Sequence, residues 1–156
     1  MSKIASLLLV VDASVARSAG ETVHPVSSAC RRYLIAVMNI CHRVAVTSEI
    51  LDEWKRHQSR FTVKWRRQMA ARKKPLVKVT PHGTGLDLGA LADGPRNIVE
   101  KDLCLLEAAL AADKVIVTRD DSLKVALNGT EDGARLARRF VWHNPIRDNA
   151  SALLDA

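Results

Sequence analysis

The stretch KVIVTRDD, Lys114 to Asp121, decides how this chain is read. Its β-branched run Val115–Thr118 is short and almost wholly apolar, as in a strand buried on both faces of a sheet. It ends abruptly in Asp120 and Asp121. A second stretch, LLLVVD at Leu7 to Asp12, has the same form about a hundred residues earlier. A strand buried on both faces can carry charge cheaply only beyond its end. Two such strands that both finish in aspartate therefore point to whatever gathers acids at their ends.

Working outward, VIVT is preceded by IVEKDLCLLEAALAA, which predicts a helix over Ile98 to Ala112, and is followed by a short helix, DSLKVAL, closed by Asn128-Gly129. A further helix near Glu131 to Ala137 leads to a terminal strand, RFVWHN, stopped by Pro145. On the N-terminal side, the strand Leu7 to Val11 is followed by a polar loop. A helix capped by Ser27 or Ser28 then runs to about His42, with Tyr33, Leu34, Val37, Met38 and Cys41 at helical spacing. RVAVT, Arg43 to Thr47, reads as the second strand. Thr47 or Ser48 caps the helix that opens EILDEW, where Glu49 suits the positive N-terminal dipole. That helix, or a second one after a break near Ser59, continues through VKWRRQMAARKK to Pro75. PLVKVT is a candidate third strand, and the Gly- and Pro-rich segment Pro81 to Asn97 is expected to be a loop.

Strands alternating with helices predict a three-layer α/β/α sandwich around a central, mostly parallel sheet of four or five strands. In such folds the strand C-termini share one edge, and ligands bind there. Asp12 and the Asp120–Asp121 pair follow strands at that edge. The helix carrying Glu49 and Glu53 emerges from it, and the first turns of the Ile98 helix, with Asp102 and Glu100, return to it. Singly, each acid reads as a turn, cap or helix N-terminal residue. Together they form a rim of like charges, unfavourable unless something positive sits among them. Oxygen-only ligation by Asp and Glu suits Mg²⁺ or Mn²⁺ rather than Zn²⁺. Such an ion can activate water and offset charge on a phosphoryl group.

The charge is distributed in keeping with this. The formal net charge of the 156 residues is +7, yet ten Lys or Arg and no Asp or Glu fall between Trp54 and Leu86. The other 14 basic residues are outnumbered by 17 acidic ones. The basic stretch, with Lys55, Arg56, Lys64, Arg66, Arg67, Arg72, Lys73 and Lys74, can hold RNA phosphates, form a solvated helix face, or meet an acidic partner protein. Trp54 and Trp65 read as core residues, with base stacking by Trp65 the alternative. His57 is a candidate phosphate contact, and His42 and His143 read as structural. Cys30, Cys41 and Cys104 form no C-x-x-C pair, so buried thiols in a reducing cytosol are expected. MSKIASLLLVV has the outline of a signal peptide, but the run meets Asp12 early and cleavage would remove a core strand. With no apolar run long enough to span a membrane, a cytoplasmic protein is expected.

LLLVVDASV, TSEILDEW and KDLCLLEAALAADKVIVTRDDSL, in that order, resemble the PIN domain, a metal-dependent nuclease fold used by ribonuclease toxins and RNA-processing nucleases. The resemblance spans about residues 4 to 146. It implies one nuclease domain over 1–147 with a short tail, 148–156. It also implies catalytic acids Asp12, Glu53, Asp102 and Asp120, with Asp12, Asp102 and Asp120 as ligands of Mg²⁺ or Mn²⁺. Glu49 and Asp121 are the alternative acids, Asp121 being equally suited to cap the next helix. Ser14 and Thr118 are supporting hydroxyls. The implied activity is endoribonuclease cleavage, with an antitoxin-like partner and a homodimer among the family's habits. The rival expectations are a PIN-like module that binds RNA or protein without cutting and, less favoured, a receiver-like signalling domain. RVAVTSE lacks the middle-strand aspartate that the latter needs.

Overall fold

The computed structural model describes residues 6–154. Five strands, β1 (Leu8–Val11), β2 (Arg43–Val46), β3 (Val77–Lys78), β4 (Val115–Val117) and β5 (Val141–His143), form one sheet in the order β3-β2-β1-β4-β5. All four pairings are parallel, with Leu9 beside Val44, Val10 between Ala45 and Ile116, and Val11 beside Val117. The central strands are apolar because both of their faces are covered: Leu9, Val10, Val11, Val44, Ala45, Ile116 and Val117 are buried.

Among the described residues, eight α-helices surround the sheet: α1 (Ala13–Ser18), α2 (Pro25–Ile40), α3 (Ser48–His57), α4 (Arg60–Ala71), α5 (Asp93–Lys101), α6 (Leu103–Leu110), α7 (Ser122–Leu127) and α8 (Glu131–Ala137). The chain moves one way across the sheet from β1 to β3, then jumps over β1 to β4 and moves the other way. Right-handed crossovers in opposite directions place their helices on opposite faces. The contacts agree: α2 packs on α1 and α4, while α6 lies over β1, β2 and β4, and α5 and α8 both touch α7. The result is the expected α/β/α sandwich, all parallel. Strand order reverses between β1 and β4, which opens a crevice at their C-terminal ends.

Several boundaries differ from expectation for local reasons. The loop after β1 contains α1, whose Val15 and Ala16 are buried together with its C-cap residue Ala19. Helix α2 starts at Pro25, since proline at the first position lacks only an N–H that would be unpaired there anyway; the His24 ring caps it through the Val26 N–H. Pro95 lies in the first turn of α5, for the same reason, so the Pro81–Asn97 loop ends at Asp93. The break near Ser59 is real: Ser59 caps α4 by accepting from the Thr62 N–H. The helix expected over Ile98 to Ala112 is two helices joined at Asp102. There the Asp102 carbonyl accepts an i+3 bond from the Leu105 N–H, which tightens the turn.

In the segment expected to be a tail, a 3₁₀ turn at Ala150–Leu154 lies against α2, and Ala150 is fully buried. Cys30 is buried as expected, but Cys104 is only partly covered and Cys41 is exposed, in the left-handed C-cap position of α2 (φ 75°). No helix among the described residues is long and apolar enough to cross a membrane.

Candidate functional site

Asp12 follows β1 directly, and its N–H donates to the Val117 carbonyl of β4, 2.8 Å away. It starts α1 in extended conformation without capping it. Instead its Oδ2 accepts from Ser14 Oγ (2.8 Å) and Thr118 Oγ1 (3.0 Å). Both hydroxyls meet one oxygen, and Oδ1 has no donor among the described residues. Ser14 and Thr118 thus orient the carboxylate across the β1–β4 crevice. Trp54 holds the same spot from below: its Nε1 donates to the Val11 carbonyl (2.9 Å), just beyond the last β1–β2 pair.

The crevice opens into a cleft of about 830 Å³. Six acids line it: Asp12, Glu49, Asp52, Glu53, Asp102 and Asp120. Asp102 is half-buried at the α5–α6 break, where its side chain caps nothing. Its carboxyl is pushed up to about 6, first by burial and then by the charge of Asp12, with Asp120 and Glu53 adding to the rise and Lys101 opposing it. Four sequence-distant segments therefore act on one another electrostatically.

The alternatives separate. Asp121 does not line the cleft and caps nothing; it forms a two-bond ion pair with Arg147 (2.7 and 3.1 Å), which pulls its carboxyl below the usual range. Asp120 lines the cleft while its oxygens accept from the Ser122 N–H (2.9 Å) and Oγ (2.7 Å), so the local tie to the next helix is made by Asp120. Glu49 and Glu53 both reach the cleft, Glu53 paired with Arg56 and 3.7 Å from His57 Nε2. Glu100 is exposed and outside it.

Of the eight basic residues expected to hold nucleic acid, only Arg56 lines the cleft. Lys64 pairs with Glu21, and Arg66 donates to Gln58 Oε1. Trp65 is buried, with Nε1 donating to the Leu34 carbonyl (2.7 Å), which removes it as a base-stacking platform. The basic wall of the cleft is instead Arg17, Arg56, His57, Lys101 and Arg119. Arg17 falls in the segment expected to be a polar loop, although SVARSA has helical spacing. Lys101 and Arg119 are signalled in sequence only by flanking Asp102 and Asp120. Cys104 also lines the cleft, but burial first, then Glu49, Asp102 and Asp12, push its thiol up to about 12, so it offers no thiolate nucleophile.

Among the described residues, no three His, Cys, Asp or Glu side chains converge closely enough to hold a metal ion directly between them. Asp12, Asp102 and Asp120 share a cleft without forming a preformed cage. The donor set nevertheless fits a hard dication: it is all carboxylate oxygen, Asp12 keeps one oxygen without a donor, and burial followed by the neighbouring acids raises Asp102. Mg²⁺ retains several waters and commonly takes only one or two protein carboxylates, so a cage is not required. No protein-family model, curated protein or solved structure matches the chain. Fold and cleft together define its class, an open parallel α/β protein with an acidic crevice at its topological switch point.

Proposed function

We propose that the protein is a Mg²⁺- or Mn²⁺-dependent endoribonuclease of the PIN type. The observation that carries this reading is the cleft itself, where acids from four segments meet a basic wall at the switch point. Asp12, Asp102 and Asp120 would hold the cation, with Glu49 or Glu53 completing the acidic side. The ion, when bound, lowers the pKa of water and offsets charge on the phosphoryl group. Ser14 and Thr118 fix the Asp12 carboxylate. Arg17 and Lys101 draw the RNA backbone in without reading sequence.

The deciding experiment is cleavage of a labelled RNA panel in Mg²⁺, Mn²⁺ or EDTA by wild type and Asp12→Asn prepared in parallel. Metal-dependent cutting that vanishes in the variant is expected. Binding without cutting by either protein would favour a non-catalytic RNA-binding module. Equal cutting by both would mark a contaminant.

The basic wall supports a phosphate grip at Arg17 and Lys101 rather than on α4. Arg17→Gln with Lys101→Gln is expected to weaken RNA binding, and to flatten its dependence on salt, more than Lys64→Gln with Arg67→Gln does. A fluorescence anisotropy titration at several salt concentrations makes the comparison. A larger loss from the second pair would return the grip to α4.

A further inference from the structure

Arg119 lies between Thr118 and Asp120, in the turn that leaves β4 at the switch point. Its backbone is tied on both sides. The N–H donates to Ser14 Oγ at 3.5 Å, and the carbonyl accepts from Asn144 Nδ2 at 2.9 Å. Asn144 is itself buried and held, its N–H donating to Asp148 Oδ2 (2.8 Å) and its Oδ1 accepting from the Ile146 N–H (3.0 Å). A loop residue clamped this way projects its side chain reproducibly.

That side chain is unusual among the basic residues of the cleft. Arg17, Arg56, His57 and Lys101 are exposed, whereas Arg119 is half-buried. One terminal nitrogen donates to the neutral hydroxyl of Ser18 (2.7 Å), and the buried Nε has no partner. Six acids line the same cleft, yet Arg119 takes part in none of the ion pairs among the described residues. A guanidinium serving only to neutralise the acids would pair with one of them. A buried donor without a partner requires a reason, and a partly desolvated cation without a counter-ion is unfavourable until an anion arrives. The planar fork of arginine matches two oxygens of a phosphate, which the point charge of a lysine does not.

We infer that Arg119 is a substrate-binding residue that grips a backbone phosphate of the RNA beside Asp120, independently of the metal. This rests on the ribonuclease reading and adds to it the residue that sets the phosphate against the acids. The Ser18 hydroxyl holds the guanidinium in place until the phosphate arrives.

The test is binding of a fluorescein-labelled single-stranded RNA oligomer in EDTA over a salt series, by wild type, Arg119→Gln and Arg119→Lys. Circular dichroism serves as the check on folding, and wild-type cleavage in Mg²⁺ is run alongside. Loss of one phosphate contact lowers the slope of log affinity against log salt by about 0.7 for a single strand. Arg119→Gln is expected to show that decrease, and Arg119→Lys to keep the wild-type slope because its charge remains. An unchanged slope in a folded Arg119→Gln, while wild type cleaves, would overturn this inference alone. A wild type that neither binds nor cleaves RNA would overturn it together with the ribonuclease reading.

Discussion

Asp102→Asn is expected to lower metal-dependent RNA cleavage by at least about 100-fold, since even the partners that orient a ligand typically carry 10–100-fold. The same change has a second signature that needs no activity. In metal-free protein the Asp102 carboxyl sits at about 6, above its ordinary 3.8, because burial and the neighbouring acids disfavour its charged form. Between those two values the folded protein binds more protons than the unfolded one, so this group lowers stability as pH rises through the window. Asparagine carries no charge at any pH. In EDTA the variant should therefore melt like wild type near pH 4 and above it at pH 7. Mg²⁺ is expected to raise the wild-type Tm and to leave that of the variant nearly unchanged. Equal Mg²⁺ shifts in differential scanning fluorimetry would mean that the ion is held elsewhere.

Trp54→Ala is expected to destabilise the fold by about 3–5 kcal/mol, a fall in Tm of roughly 6–20 °C. Trp54 is fully buried, its ring centroid 6.2 Å from that of Trp65, and its N–H satisfies the Val11 carbonyl immediately before Asp12. Trp54→Phe separates the two roles. It keeps most of the volume but leaves that carbonyl unpaired, at a cost of about 1–3 kcal/mol. Thermal melts of the two variants provide the check. An alanine variant as stable as the phenylalanine one would show that the hydrogen bond, not the packing, matters there.

Legibility in sequence followed the range of the interactions involved. The apolar runs LLVV, VAV and VIV announced buried parallel strands because period and composition are local properties. The cap at Thr47 or Ser48 and the break near Ser59 were readable for the same reason, since Thr47 and Ser59 each accept from an N–H three residues on. The α5–α6 break was not, because a composition rich in Ala and Leu favours continuity and the turn at Asp102 is visible only in its hydrogen bonding. The pairing of Asp121 with Arg147 was equally out of reach, since the two lie 26 residues apart.

Sequence alone thus determined the α/β class, the alternation of elements and the edge of the sheet at which the acids gather, since strand direction follows from the crossovers. Only the tertiary structure decided which charges face one another. It turned Asp120 into the cleft and Asp121 out of it, kept every member of the basic stretch except Arg56 and His57 away from the cleft, and brought Arg17, Lys101 and Arg119 in. Side-chain facing depends on helix phase, breaks and long-range ties such as Asn144 to Arg119. No local pattern in the chain carries that information.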